Sequence, residues 1–355
     1  MIPEESCAGR HGQESVPCHS REAPNSLRLG KSTQIDPATA AKPISMPPSA
    51  RTLAVIGCTG FIGRRIGAQL LARGDCVLAL VRPSSRRRAD LPAGVEVVET
   101  GLETNDARLT AALQRADAVV YAAGAVRGRT LADFLPANVQ GVSAVAEVLA
   151  RETRPRQLVL LSSLAAAAPE LSHYAQSKRR GELVLAAAPA ALPWVVLRPT
   201  AVYGPGDREL RPVFDLMRRG WMFAPGAVEQ RLSFIEVDDV VRAVLAALDH
   251  AAAANHGIFA LDDGRPGGYD RTALARSLRP EGRMRCVPVP RGLLAGIAQL
   301  NLGLAQLCGY APMLTPGKVR EITHPAWLGD NAPFTAATGW TPQSDLATGT
   351  RTLFG

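Results

Sequence analysis

Apolar positions beyond Arg51 fall into two alternating rhythms. "TLAVIGC" (52–58) is a short continuous apolar run, and "FIGRRIGAQLLARG" (61–74) then spaces its apolar residues at helical period and closes on Gly74. Further apolar runs follow at "CVLALVR" (76–82), "VEVVET" (95–100), "AVVYAAG" (118–124), "QLVLLSS" (157–163) and "WVVLRP" (194–199), most of them separated by helical segments. Unbroken apolar runs mark strands covered on both faces, as in a parallel sheet. The pattern predicts an α/β fold with a doubly wound parallel sheet.

After Pro199 the rhythm weakens. "TAVYGPGDREL" (200–210) is turn-rich, and residues 261–355 hold proline-punctuated helices with little strand signal. "LSFIEVDDVVRAVLAAL" (232–248) still reads as strand plus helix of the main layer. The expected division is therefore a sheet domain of 51–199 plus about 232–260, and a smaller, mostly helical lobe of about 200–231 plus 261–355. Within that lobe, "GLLAGIAQLNLGLAQLCGYAPML" (292–314) is interrupted by Gln299, Asn301 and Gln306, too often for a membrane span. It reads first as a buried lobe helix, with a hydrophobic pocket wall or a peripheral membrane contact as alternatives. Residues 1–50 are rich in Pro, Ser, Ala and charge without apolar periodicity, which predicts a disordered extension and no secretion signal.

The formal net charge of +8 raises the question of a polyanionic partner. Residues 1–50 carry five basic and five acidic side chains, so the excess lies in the remainder, spread out except at "RPSSRRR" (82–88). No nucleic-acid-binding pattern accompanies it, and a nucleic-acid partner is not expected. The six cysteines show no C-x-x-C spacing, and no cluster has metal-ligand spacing, so the reduced cytoplasm fits best. Asp238 and Asp239 read as a helix cap with a first-turn acid rather than a metal site.

Gly57, Gly60 and Gly63 sit between the first strand and a helix. Glycine there lets the backbone approach a pyrophosphate, and the helix N-terminus offers unpaired N–H groups. An acidic residue ending the second strand would bind the ribose hydroxyls of NAD. Arg82 stands there instead, followed by Ser84, Ser85 and Arg86 to Arg88, which favours the 2′-phosphate of NADP, with NAD still open. Basic charge is almost wholly arginine, the lysines being Lys31, Lys42, Lys178 and Lys318. Lys178 lies four residues after Tyr174, which puts both on one helix face, and an ammonium there favours the phenolate and lowers the tyrosine pKa toward a catalytic range. Ser162 or Ser163, at the preceding strand end, could polarise a carbonyl. His173 reads as a surface or substrate-facing neighbour of Tyr174.

With "GCTGFIG", "AAG" (122–124), "NVQG" (138–141), "LLSS" (160–163), "YAQSK" (174–178), "LRPTAVYGPGD" (197–207) and "SFIEVDDV" (233–240) in this order, the chain resembles extended short-chain dehydrogenases/reductases of the NAD-dependent epimerase/dehydratase type. The resemblance covers about residues 51–260 and implies a Rossmann domain. It implies Tyr174 as general acid/base, Lys178 as its electrostatic partner and ribose ligand, Ser163 as substrate hydrogen-bond donor and Asn138 as the residue that orders a proton-relay water. Cofactor contacts implied in this way are Gly57, Thr59, Gly60, Phe61, Ile62, Gly63, Arg82, Ala122, Ala123, Gly124 and Pro199, together with Tyr174 and Lys178, and Arg198 would line the same side. Two departures stand out. "TGLET" (100–104) lacks the aspartate of the family's "GDL" near the adenine, and "SLAAAAPELSHY" (163–174) is shorter than in nucleotide-sugar epimerases.

These readings converge on an NADP(H)-dependent oxidoreductase that interconverts a ketone and a secondary alcohol. Apolar residues of the lobe point to a hydrophobic substrate. The resemblance leans toward steroid-dehydrogenase-like and bacterial lipid-modifying members, for instance acting on the 3-keto group of a sphingoid or ceramide-type lipid. A nucleotide-sugar epimerase or dehydratase, with Arg231 meeting a diphosphate, is the alternative enzyme. A non-catalytic dinucleotide-binding scaffold is the alternative outside enzymes, and the intact Ser163, Tyr174 and Lys178 set argues against it. The resemblance also implies a homodimer through the Tyr174 helix, and a cytoplasmic location with peripheral contact at the inner membrane face left open.

Overall fold

The computed structural model describes residues 50–103 and 105–354, which lie within one compact unit. The extension expected over residues 1–50 falls, apart from Ala50, outside the described residues. The first half runs β1 (Thr52–Ile56), α1 (Phe61–Ala72), β2 (Cys76–Val81), β3 (Glu96–Glu99), α2 (Ala107–Arg115), β4 (Ala118–Tyr121), α3 (Gly141–Ala150), β5 (Gln157–Leu161), α4 (His173–Ala186) and β6 (Trp194–Pro199). Then come β7 (Ala201–Tyr203), α5 (Arg211–Arg218), β8 (Trp221–Ala224), β9 (Arg231–Leu232), β10 (Phe234–Glu236), α6 (Val237–Asp249) and β11 (Gly257–Leu261). The chain ends with α7 (Arg271–Leu278), β12 (Arg285–Pro288), α8 (Arg291–Cys308), α9 (Pro316–Ile322), β13 (Ala326–Trp327), α10 (Ala332–Thr338) and α11 (Leu346–Phe354).

Seven strands form one parallel sheet in the order β11-β6-β5-β4-β1-β2-β3. Successive strand residues point to opposite faces. Leu53, Val55, Val77, Ala79, Val120, Val159 and Val195 pack under Ile66 and Leu70 of α1 and Val240 and Val244 of α6. Ala54, Ile56, Leu78, Leu80, Val119, Leu158 and Val196 pack under Leu109 and Leu113 of α2 and Val142, Val145 and Leu149 of α3. Both faces are thus apolar, the expected doubly wound arrangement. The chain winds outward from β1 to β3 and then returns to β4, so β1 and β4 flank a topological switch point, where such sheets open a crevice at their carboxyl ends.

The run around Phe234 behaves otherwise than its apolar pattern indicates. β10 pairs with β7 outside the main sheet, while α6 packs on that sheet. The seventh strand is β11, which matches β6 residue for residue from Gly257↔Val195 to Leu261↔Pro199. β10 spans only three residues before α6 begins, whereas β11 can satisfy the whole edge of β6. The cap of α6 is also not an aspartate. Glu236 accepts the Asp238 N–H at 2.6 Å, and buried Asp239 accepts the N–H groups of Gln343 and Ser344 at 2.7 and 3.0 Å.

A second core gathers Tyr203, Phe214, Met217, Met222, Phe234, Tyr269 and Leu346. Its rings meet edge-on in series, Tyr203–Phe214 at 5.7 Å, Phe214–Phe234 at 5.7 Å and Phe234–Tyr269 at 5.8 Å. The strand pairs β8–β12 and β9–β13 are four and two residues long, too short to leave a periodic signal. Helix α8 corrects the expectation of a buried helix: only Ala298 and Ala305 are buried, Leu294 and Leu302 are half-buried, and Leu293, Leu300, Leu304 and Leu307 face solvent. Among the described residues no helix is long and apolar enough to cross a membrane. Truncation of Phe214, 1% exposed at the centre of the ring series, is expected to cost about 3–5 kcal/mol. Denaturant unfolding of Phe214→Ala measures it, and a loss below about 1 kcal/mol would contradict a packed second core.

Candidate functional site

The glycine loop is shaped by backbone contacts. Gly57 has φ +91°, and a Cβ there would lie 2.5 Å from Ala123 N; one on Gly63 would lie 2.2 Å from Gly57 O. The Gly60 N–H donates to Gly57 O at 2.8 Å, closing the turn on which Thr59 sits. No side chain caps α1 and its first turn has no acidic residue, so the amides that begin with Phe61, Ile62 and Gly63 suit an anion. Ala122 and Ala123, directly after β4, lie against this loop, with the Ala122 N–H donating to Ile56 O at 2.8 Å. Pro199 ends β6, and the buried Thr200 hydroxyl beside it has no hydrogen-bond partner. An uncapped helix, a close-packed glycine turn and an orphaned hydroxyl at the carboxyl ends of the strands fit a bound dinucleotide.

Beyond β2 the arginines divide. Arg87 pairs with Asp90 at 2.8 Å, and Arg88 pairs with Glu99. Exposed Arg82 and Arg86 make no ion pair among the described residues. The loop at Thr100 and Gly101, where the family's aspartate is missing, is held by the Asp106 carboxylate, which accepts the Thr100 hydroxyl and the Gly101 N–H, both at 2.8 Å. A polar cavity of about 450 Å³ opens beside the start of α1, lined by Arg64, Arg87, Arg208 and Arg211 with Asp207 and Asp215. It lies on the arginine side of the crevice, away from Tyr174.

The second half of the site forms where β5 runs into α4. Ser162 is buried and donates to Glu182 Oε1 at 2.6 Å, so it is turned away from the crevice. Ser163 caps the following turn, accepting the Ala165 N–H at 3.2 Å, and its hydroxyl holds the Tyr174 pKa down against burial. The geometry thus separates the two serines. Lys178 is buried and donates to Leu161 O at 2.9 Å. Its Nζ and Asn138 Oδ1 would lie 3.1 and 3.2 Å from a Cβ on Gly124, which explains the glycine there. Asn138 sits in a π-helical turn, Pro136–Gln140, a distortion common at functional sites. Its amide donates to Ala125 O at 3.0 Å and Ser177 Oγ at 2.8 Å, and its carbonyl accepts the Ala125 N–H at 2.9 Å. His173 is exposed at the start of α4.

The electrostatics differ from the expectation of an acidified tyrosine. Burial pushes the Tyr174 pKa up to about 12, Glu321 adds to the rise, and only the Ser163 hydroxyl opposes it. Burial brings Lys178 down to about 8, against the attraction of Glu182. Desolvation therefore outweighs the charge of Lys178, which is aimed at a backbone carbonyl.

Three functional-site neighbours carry no motif of their own. Glu182, wholly buried, binds the Arg198 guanidinium through two contacts of 2.8 and 2.5 Å and also receives Arg179 at 3.2 Å. This corrects the placement of Arg198 on the cofactor side, since its guanidinium is committed to a buried carboxylate. Glu321 of α9 accepts the Ser172 hydroxyl and the Lys318 ammonium, the latter at 2.7 Å. Lys318 Nζ lies 5.9 Å from the centre of the Tyr174 ring, so a lysine from outside the motif borders that tyrosine. Arg231 pairs with Asp270 at 2.9 Å on the surface, which leaves nothing that favours a diphosphate there.

Residues 53–261 match the NAD dependent epimerase/dehydratase family. The chain is 34% identical over 286 residues to the "Ceramide reductase" of Caulobacter vibrioides, covering 79% of this chain and 87% of that protein. It is 30% identical over 275 residues to a "3-diazoavenalumate denitrifying reductase" of a Streptomyces species, covering 70% and 86%. Among solved structures, the UDP-glucuronic acid 4-epimerase of Bacillus cereus, in complex with UDP-glucuronic acid and NAD, superposes with a TM-score of 0.64 at 16% identity, over 85% of this chain and 98% of that one. An epimerase of Methanothermobacter thermautotrophicus superposes with a TM-score of 0.65 at 18% identity, over 86% and 91%. With these matches, the chain belongs to the NAD-dependent epimerase/dehydratase family, as an NAD(P)-dependent enzyme of the short-chain dehydrogenase/reductase type.

Proposed function

We propose that the protein is an NADP(H)-dependent reductase of a hydrophobic, lipid-like ketone, of sphingoid/ceramide or steroid-like type, giving the secondary alcohol. One observation carries the reading: Ser163, Tyr174 and Lys178 converge at the carboxyl end of β5, beside the glycine turn. When bound, NADPH supplies a hydride. The glycine turn, the start of α1, Ala122 to Gly124 and Pro199 would hold its body, and unpaired Arg82 and Arg86 would meet the 2′-phosphate. Ser163 would donate a hydrogen bond to the substrate carbonyl oxygen, and Tyr174 would give that oxygen its proton as negative charge develops. A phenol with a pKa near 12 is fully protonated at neutral pH, as a proton donor in the reducing direction must be. Lys178 would steady the phenolate left behind and bond the ribose hydroxyls, and Asn138 would support the relay that restores the proton. The similarity to a protein named "Ceramide reductase" over 87% of its length supports the substrate class.

A lipid ketone resides in a bilayer, so the reading carries with it a cytoplasmic enzyme in peripheral contact with the inner membrane face. A homodimer through α3 and α4 belongs to the same reading. A groove of about 410 Å³ between these helices, lined by Ala146, Ala150, Val184 and Ala187, with Leu183 exposed on α4, supports it.

NADPH oxidation followed with long-chain keto-lipids, steroid ketones and nucleotide sugars in parallel is expected to respond to the lipids. Tyr174→Phe is expected to lower that turnover about a hundredfold to ten-thousandfold with cofactor binding retained. Turnover confined to nucleotide sugars would overturn the substrate class. The ratio of kcat/KM for NADPH over NADH is expected to fall at least about tenfold in Arg82→Asp, and an unchanged ratio would remove Arg82 from the 2′-phosphate site.

Lys178 makes a pH prediction that needs no substrate. Its pKa falls from an ordinary 10.5 to about 8 on folding, so between those values the unfolded chain holds more protons. Stability contributed at this residue therefore rises as pH climbs through that window, by on the order of 3 kcal/mol. Melting curves of the wild type and Lys178→Met across the window should show the rise in the wild type only. A parallel pair of curves would exclude a depressed Lys178 pKa.

A further inference from the structure

Helix α8 presents an apolar face that nothing among the described residues covers. Leu293, Ile297, Leu300, Leu304 and Leu307 are 57%, 45%, 72%, 55% and 85% exposed. Their spacing of four and three residues keeps them within an arc of about 80° on one side of the helix. The opposite side is anchored: Ala298 and Ala305 are buried, and Asn301 donates to Leu314 O at 2.8 Å and accepts from the Tyr310 hydroxyl at 2.5 Å. A Cβ placed on Gly292, Gly296 or Gly303 would meet no atom within 4 Å, so one flank of this face is also open along the helix. Five exposed branched side chains in one line are more than the scattered apolar exposure of ordinary surfaces.

We infer that this face of α8 is a docking surface for an anionic lipid bilayer. The charge around it selects the occupant. From residue 282 to residue 320 there is no aspartate or glutamate, while Arg283, Arg285, Arg291, Lys318 and Arg320 are basic. Arg283, Arg285 and Arg291 are exposed and make no ion pair among the described residues. Arg291 begins α8, and Arg285 lies on β12, the strand that leads into it, with its guanidinium 5.1 Å from the ring centre of Trp221. Trp221 and Phe223, on the paired strand β8, are themselves 39% and 52% exposed. A leucine-lined helix flanked by unpaired arginines and an exposed tryptophan suits the boundary between lipid acyl chains and anionic headgroups. A second copy of the chain suits it less, because residues 282–320 carry no carboxylate that could answer these arginines across a pairing of α8 with itself. The helix lies along the bilayer surface and does not cross it. This surface stands whichever ketone the active site takes.

Flotation of the full-length protein with vesicles tests the inference. The protein is expected to float with vesicles containing phosphatidylglycerol, less with pure phosphatidylcholine, and less as salt is raised. Leu300→Asp with Leu307→Asp should reduce partitioning at least about tenfold, since two exposed leucines lose their burial in lipid. Arg285→Glu with Arg291→Glu should reduce it on anionic vesicles only. These side chains are exposed, so melting temperature and NADPH binding, followed by its fluorescence, should match the wild type and show that the variants fold. No flotation at any phosphatidylglycerol content overturns the inference. So does flotation unchanged in the leucine variant, or light scattering that shows a dimer which that variant splits.

Discussion

A carboxylate with no exposure to solvent, Glu182, ties α4 to the ends of β5 and β6. A buried charge persists only where partners replace its hydration, and here Arg198, Arg179 and the Ser162 hydroxyl do so. Because the partners sit on two strands and on the helix itself, the carboxylate sets the azimuth of α4 over the sheet. Tyr174 and Lys178 are carried on that same helix, two turns and one turn earlier. Their reach toward the crevice therefore depends on a residue that touches neither substrate nor cofactor in the proposed chemistry. Gly181, next in the chain, completes the fit, since a Cβ there would lie 2.2 Å from Asn138 O.

The electrostatic character of the crevice follows from depth. Tyr174 and Lys178 are both held in the neutral-favouring direction, the phenol raised and the ammonium lowered, because desolvation disfavours each charged form. The C-terminal helix α9 adjusts this balance by bringing Glu321 and its partner Lys318 against the start of α4. The C-terminal part of the chain thus contributes charge beside Tyr174. Polarity differs from element to element: exposed arginines follow β2, a desolvated phenol and ammonium lie on α4, and α8 turns an apolar face to solvent.

Much of this was legible in the residues. Period-two burial on both faces made the strands of the sheet continuous apolar runs, and only a parallel sheet covered by helices tolerates that pattern. The glycine turn and the Tyr174–Lys178 spacing carry their geometry locally, within one turn or one helix. The misses are equally particular. β11 was hidden because "GIFAL" is a short run whose strand status depends on the edge of β6. β10 looked like a main-layer strand because apolar residues in a two-residue-period run pack equally well in either sheet. The leucines of 292–314 read as core because hydrophobicity alone does not say whether another element comes to cover them.

By itself the sequence determined the class of sheet and the identity of the residues at the glycine turn and on α4, since apolar runs, a tight turn and an i, i+4 spacing are all local patterns, while the strand order rests on pairings such as Leu53 with Ala118. Tertiary structure decided what those residues do to one another. It assigned Ser162 to Glu182, left Arg82 and Arg86 without an ion pair among the described residues while pairing Arg87 and Arg88, and moved the pKa of Tyr174 up rather than down. The physical reason is that pairing and desolvation depend on neighbours brought in from far along the chain. Glu321, 147 positions beyond Tyr174, is one of them, and no local pattern announces it.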